Sequence, residues 1–299
     1  MTAVLDRPTP ASPEGWSASL ELVASLRGGR TVLTRNRHLG PLRVQRPFYP
    51  EGGICHVYVL HPPGGLVAGD SLDITVRCEP NSQILLTSPS ASRVYCSNQQ
   101  RLRQSQKVSI DVVAGARCEW LPQESIVFDS AEALNQLSIS LADGAEFSGW
   151  EITCLGRPAS EDFFEGGQLQ QNWEIVREGR PLLLERSKFV GGSAQLQAPS
   201  GLGGATVTGT FITTCLDAPI EDIREAIAQL TASETLEAQG QRPSFAVPLV
   251  AVTALPELLL IRALGQNAAD IKAIFIALWH LLRKAQSGQT AVAPRIWFS

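Results

Sequence analysis

Ser71-Leu72-Asp73-Ile74-Thr75-Val76-Arg77-Cys78 alternates without a break, with Leu72, Ile74, Val76 and Cys78 on one side and Ser71, Asp73, Thr75 and Arg77 on the other. Successive side chains of a strand point to opposite faces, so this stretch reads as a strand with one buried face. The pattern returns as Val108, Ile110, Val112 and again as Leu137, Ile139, Leu141. Each run leads through a short turn into a second apolar strand. Glu79-Pro80-Asn81-Ser82 precedes Ile84-Leu85-Leu86, Ala114-Gly115-Ala116 precedes Cys118-Glu119-Trp120, and Asp143-Gly144-Ala145 precedes Phe147. A fourth copy runs from Trp173-Glu174-Ile175-Val176 through Glu178-Gly179-Arg180-Pro181 to Leu182-Leu183-Leu184. A unit recurring roughly every 30 residues points to a mainly β body, layered or β-helix-like (solenoid-type), in which neighbouring units complete one another's core. An ordinary meander is the alternative.

Helical period enters only in the last third. Asp217 is positioned to cap a segment from Pro219 to Leu230, with Ile220, Ile223, Ile227 and Leu230 on one face. A stronger helix follows Asn267, striped by Ile271, Ile274, Phe275, Leu278, Leu281 and Leu282, with Arg283 and Lys284 near its end, where cations suit the helix dipole. Between them, Phe245 to Val252 and Leu258 to Ala263 read as strands. The expected organisation is a tail over residues 1–15 and one domain over 16–299. That domain divides into a β body over roughly 16–215 and an α+β part with two helices over roughly 216–299. The second helix and Ile296-Trp297-Phe298 are expected at a packing seam.

Of the 299 residues, 44% are hydrophobic and only 18% charged, below the ~25% of an ordinary soluble chain. Such a surface is unusually neutral, which fits either burial under partners or simply a neutral, poorly soluble fold. The net charge is -4 and no run of Lys or Arg exceeds two residues, which argues against a nucleic-acid surface and against anionic membranes. Met1 to Glu14 holds three prolines and no apolar stretch, unlike a secretory signal. The six cysteines form no Cys-x-x-Cys pair and are expected as small buried hydrophobes in a reducing cytoplasm, Cys96 included.

Neither Pro62-Pro63-Gly64-Gly65 nor Gly201-Leu202-Gly203-Gly204 continues into Gly-Lys-Ser/Thr, and no Gly-x-Ser-x-Gly occurs. Cys55, His56 and His61 are close in sequence, but strand geometry sends His56 to one face and Cys55 and His61 to the other. Acids within apolar strands carry more chemistry. Glu185 follows Leu182-Leu183-Leu184, Glu151 follows Trp150, and Asp70 ends the turn Gly64-Gly65-Leu66-Val67-Ala68-Gly69. A carboxylate turned inward must be paired, protonated or metal-bound. Arg93, Arg157 and Arg186 are the cations that could pair with them.

Several segments, in order, resemble the UreD family (also called UreH) of urease accessory proteins. They are Val44-Gln45-Arg46-Pro47-Phe48-Tyr49-Pro50, His61-Pro62-Pro63-Gly64-Gly65 through Gly69-Asp70, and Leu85-Leu86-Thr87 through Val94-Tyr95. Glu119-Trp120-Leu121-Pro122-Gln123-Glu124, Cys154-Leu155-Gly156-Arg157-Pro158 and Pro294-Arg295-Ile296-Trp297 complete the series. The resemblance implies a cytoplasmic, non-enzymatic chaperone that joins UreF and the GTPase UreG on apo-urease, leaving room for a homodimer within a larger complex. It also implies nickel in transit through an internal tunnel and no permanently bound cofactor. The family's acids map onto Asp70, Glu151 and Glu185, with Ser92 in the Thr-x-Pro stretch, as transient nickel ligands. The competing reading is a β-solenoid hydrolase or lyase using Asp70, Glu151 and Glu185 as acid and base, which requires an open groove holding two carboxylates.

Overall fold

In the computed structural model, which describes residues 15–232 and 247–298, strand β5 (Ser71–Cys78) buries Leu72, Ile74, Val76 and Cys78 and leaves Asp73, Thr75 and Arg77 to solvent. The strands before it are β1 (Ser17–Arg27), β2 (Arg30–Leu39), β3 (Arg43–Val44) and β4 (Cys55–Leu60). After it come β6 (Gln83–Thr87), β7 (Ser92–Val94), β8 (Gln104–Val112), β9 (Arg117–Trp120), β10 (Ser125–Val127), β11 (Glu132–Leu141) and β12 (Glu146–Arg157). The last are β13 (Asp162–Phe163), β14 (Gln168–Arg177), β15 (Arg180–Val190), β16 (Val207–Thr213), β17 (Leu249–Leu255) and β18 (Leu258–Gly265).

Two sheets result. A seven-stranded sheet runs β15-β14-β11-β8-β5-β1-β2, and an eleven-stranded sheet follows the path β17-β18-β16-β12-β9-β6-β4-β3, with β7, β10 and β13 attached beside it. The recurring unit is a solenoid coil. β5, β8 and β11 lie parallel in the first sheet, and each turns into β6, β9 or β12, parallel in the second. These corners hold one left-handed residue each: Asn81 (φ 59°), Gly115 (φ 71°) and Gly144 (φ 66°).

The fourth unit differs from the other three. β14 and β15 form an antiparallel hairpin within one sheet instead of crossing to the other. Its turn places two consecutive residues in the left-handed region, Glu178 (φ 48°) and Gly179 (φ 73°), the backbone of a two-residue hairpin whose twist matches its strands. Gly28 (φ 56°) and Gly29 (φ 81°) do the same between β1 and β2. Both ends of the seven-stranded sheet are therefore closed by hairpins, and their edge strands carry Pro181, Arg186 and Lys188 or Arg30, Arg35 and Arg37, which discourage further pairing.

Helices α1 (Ala194–Gln197), α2 (Ile220–Leu230) and α3 (Ala268–Ser287) follow the body. Three cores form. Leu22, Ile74, Val76, Ile110, Ile139 and Phe147 fill the space between the sheets. Trp150, Ile152 and Phe211 on the outer face of the large sheet pack on Ile271, Phe275, Leu278 and Trp279 of α3. A smaller core gathers Val94, Leu155, Phe164, Leu169 and Phe189 under α1. Trp297 docks into the second core against Trp150 and Trp279, donating from Nε1 to Thr87 Oγ1 at 2.8 Å.

Asn267 caps α3, its Oδ1 accepting from the Ala269 amide at 2.9 Å. Asp217 does not cap α2: Pro219 occupies the cap position, and the Asp217 carboxylate instead accepts from the Cys215 thiol at 3.6 Å. Cys96 is exposed rather than buried, because it lies beyond the end of β7 in a loop outside the ladders, and Cys154 is only partly buried, whereas Cys55, Cys78, Cys118 and Cys215 are buried. Residues 1–14 of the expected tail, and the start of the strand read from Phe245, lie outside the described residues. Among the described residues no helix is long and apolar enough to cross a membrane.

Candidate functional site

The alternation that sends Val108, Leu137 and Trp173 into the space between the sheets also sends in the residue two places earlier on each strand. Those residues are Gln106, Asn135 and Gln171, which pair in register across β8, β11 and β14. Ser187 of β15 extends the row, facing Gln171. The apolar inter-sheet core therefore gives way at one end to a polar rung. A polar group there must find a partner or border a cavity.

Both occur. A cavity of about 300 Å³ is lined by His61, Gln106, Gln123, Asn135, Ser92 and Glu151 among others. A second, of about 440 Å³, is lined by Glu151, Gln171, Trp173, Glu185, Ser187 and Arg262 among others. Glu151 belongs to both. It sits on β12 with Trp150 and Ile152 turned away toward α3, so its own side chain must face the seven-stranded sheet.

Glu151 has only neutral partners. Oε1 accepts from Asn135 Nδ2 at 2.8 Å and Oε2 from Trp173 Nε1 at 3.0 Å. Burial pushes its carboxyl above the usual range and the nearby Glu185 charge adds to this, against the opposing pull of the Asn135, Trp173 and Gln171 donors. Glu185 is held differently: Arg262 grips it with both ends of the guanidinium, Nη1 to Oε1 at 2.8 Å and Nη2 to Oε2 at 2.5 Å, while Ser187 Oγ donates at 3.2 Å.

Ser92 begins β7 and lines the first cavity. Asp70 borders neither cavity. Its carboxylate closes the turn before β5, accepting from the Trp16 amide and the Val67 amide, both at 2.9 Å. It stands near His61, a first-cavity residue whose ring burial makes harder to protonate, in opposition to the Asp70 charge. The structure thus brings Ser92, Glu151 and Glu185 onto adjoining cavities and leaves Asp70 in the loop beside them. None of Arg93, Arg157 and Arg186 pairs with the three acids: Arg157 instead reaches Asp162 at 3.5 Å, and the cation at Glu185 is Arg262. Asn135, Gln171, Trp173 and Arg262 escaped the sequence reading, although extending each alternating run back by two residues points to the first two.

A second polar cluster lies on the other face of the large sheet. Arg283 of α3, buried, donates Nη1 to Glu119 at 3.0 Å and Nη2 to Glu51 at 2.5 Å. Glu119 also accepts from Trp279 Nε1 at 2.8 Å, and Glu51 pairs with His56 Nε2 at 2.8 Å. Burial pushes the Glu51 carboxyl up, but the His56 and Arg283 hydrogen bonds and the Arg283 charge outweigh it and bring it down to about 2. Cys55 meanwhile lies in the inter-sheet core, so it and His56 diverge as strand geometry requires. Among the described residues no three His, Cys, Asp or Glu side chains form a metal-holding group.

Fold and site define a hairpin-capped, helix-backed β-solenoid with a polar, cavity-bearing interior. A sequence model of the UreD urease accessory protein family matches residues 17–298. The chain is 40% identical to "Urease accessory protein UreD" of Dechloromonas aromatica, over 99% of each chain. It is 41% identical to the protein of that name from Pseudomonas putida, covering 95% of this chain and 94% of that one, and 39% identical to the one from Hahella chejuensis, covering 94% and 90%. The chain belongs to the UreD urease accessory protein family, and its role lies in the maturation of urease.

Proposed function

We propose that this protein is a non-catalytic cytoplasmic scaffold that works with UreF and the GTPase UreG on apo-urease, and that nickel crosses its interior on the way to the enzyme. The observation that carries this reading is the pair of adjoining cavities sharing Glu151, with Ser92 bordering one and Glu185 the other. A borderline cation in transit needs oxygen donors that are spaced and weak enough to release it. Two carboxylates, a serine hydroxyl and the amide row Gln106-Asn135-Gln171 supply such donors, with His61 lining the first cavity and Asp70 beside it. The same two carboxylates make a poor acid–base pair for hydrolysis, since Glu185 is engaged by Arg262 and Glu151 lies between the sheets.

Reconstitution of apo-urease with the partner proteins, GTP, nickel and bicarbonate tests the scaffold role: omission of this chain is expected to abolish activation, and undiminished activation overturns it. Glu185→Leu tests the path. The variant is expected to assemble normally but activate urease poorly, and full activation by it removes Glu185 from the route.

A further inference from the structure

Two ion-paired clips join the edge of the seven-stranded sheet to the edge hairpin of the other. In one, Glu257 of the β17–β18 turn pairs with Arg177 and Arg180. In the other, Arg262 of β18 pairs with Glu185 of β15. As fasteners they are equivalent. They differ in what lies behind them: neither Glu257 nor its arginines border a cavity named above, whereas Arg262 and Glu185 both line the second cavity, with Glu151 on the same lining.

We infer that Arg262 is a specificity gate, a tethered cation that occupies the carboxylate face of Glu185 and must be displaced before a divalent metal ion can bind there. This rests on the nickel-path reading. The bidentate fork covers both oxygens of Glu185, so an arriving cation finds no free carboxylate oxygen at that position. Arg262 has room to leave, since its side chain is 49% exposed while that of Glu185 is only 18% exposed. Its neighbour across the ladder, Ala251 of β17, is small and also lines the cavity, so no bulky side chain there bars the swing. Monovalent ions bind a carboxylate too weakly to displace a guanidinium held by two charge-assisted hydrogen bonds, whereas a divalent ion that can also draw on Glu151 competes. Gating by a tethered cation thus selects charge without a rigid metal cage.

The test is nickel binding to the full chain, by calorimetric titration with nickel chloride in wild type and variants. Arg262→Gln is expected to tighten binding by about three- to fivefold, the scale of one partly exposed charge pair. The double variant Arg262→Gln/Glu185→Gln should lose that gain. Glu257→Gln, which opens the sister clip, should leave nickel affinity at the wild-type value. Arg262→Lys, which keeps the charge but not the fork, should shift affinity in the same direction by less and covers the case in which the Gln variant folds poorly. Unchanged affinity in folded Arg262→Gln or Arg262→Lys, or an equal gain from Glu257→Gln, overturns the gate. Activation by Glu185→Leu reports on the path separately, so a failed gate and a failed path give different results.

Discussion

Carboxylates turn inward on both faces of the eleven-stranded sheet, and the two groups are built on opposite principles. Under α3, Glu51 and Glu119 share one buried guanidinium, and Trp279 and His56 fill remaining valences. Between the sheets, Glu151 is held by an amide and an indole and borders a cavity. Burial penalises charge in each place; only the first supplies a compensating cation. The consequence is opposite in sign, with Glu51 brought down to about 2 and Glu151 pushed up. One cluster is a fastener between helix and sheet, the other a carboxylate held by neutral donors beside a cavity. The difference teaches that the partner of an inward-facing acid, rather than its burial alone, sets whether its charged form is favoured or disfavoured.

Breaking the fastener gives the largest expected effect. Arg283→Ala strands two carboxylates out of water and should cost about 3–5 kcal/mol, read as a lower urea midpoint at neutral pH; a loss below about 1 kcal/mol would mean the cluster is not the fastener. Next comes its pH dependence. Because the folded Glu51 carboxyl lies near 2, below its ordinary 4.5, its contribution is complete above about pH 5 and is lost as pH falls toward 2. Its size is about 3 kcal/mol. The groups facing it are His56 from β4 and Arg283 from α3, with His280 of α3, Arg117 of β9 and, beyond the shared guanidinium, Glu119 also within its electrostatic reach. Glu51→Gln should flatten the acid limb of the stability profile, and an unaltered limb would reassign it to other acids.

The smallest effect sharpens the comparison most. Glu151→Gln keeps the shape, leaves one oxygen to accept from the Trp173 indole and, with the Asn135 amide turned over, donates to that neighbour, while removing a charge that the interior disfavours, so stability at pH 7 should stay within about 1 kcal/mol of wild type or rise. Glu119→Gln, by contrast, unbalances Arg283 and should lower stability. Equal losses in the two would erase the distinction.

Much of this was legible from side-chain period. The alternation in Ser71–Cys78 and its copies gave a strand of two faces, a coil near 30 residues and the inward residues of the first core, all of which the solenoid realises. The fourth unit read as one more coil because the apolar pattern of a hairpin and of a corner are identical. Their difference resides in backbone sign at Glu178 and Gly179, where a non-glycine residue adopts a left-handed φ that composition does not announce. Acids in apolar strands were visible as anomalies, and so Glu151 and Glu185 stood out. Their partners did not, since Arg262 lies 77 residues from Glu185 and Arg283 lies 232 from Glu51.

By itself, then, the sequence determined the family, the strand faces and the carboxylates in need of an explanation, because side-chain alternation and ordered motifs are local. Only the tertiary structure decided which acids meet arginine, which meet a cavity and which, like Glu185, meet both. That choice depends on stacking distant strands and on where a polar rung, Gln106-Asn135-Gln171, interrupts an apolar interior. The charge state of a buried group is a property of everything around it, and its surroundings are assembled from the whole chain.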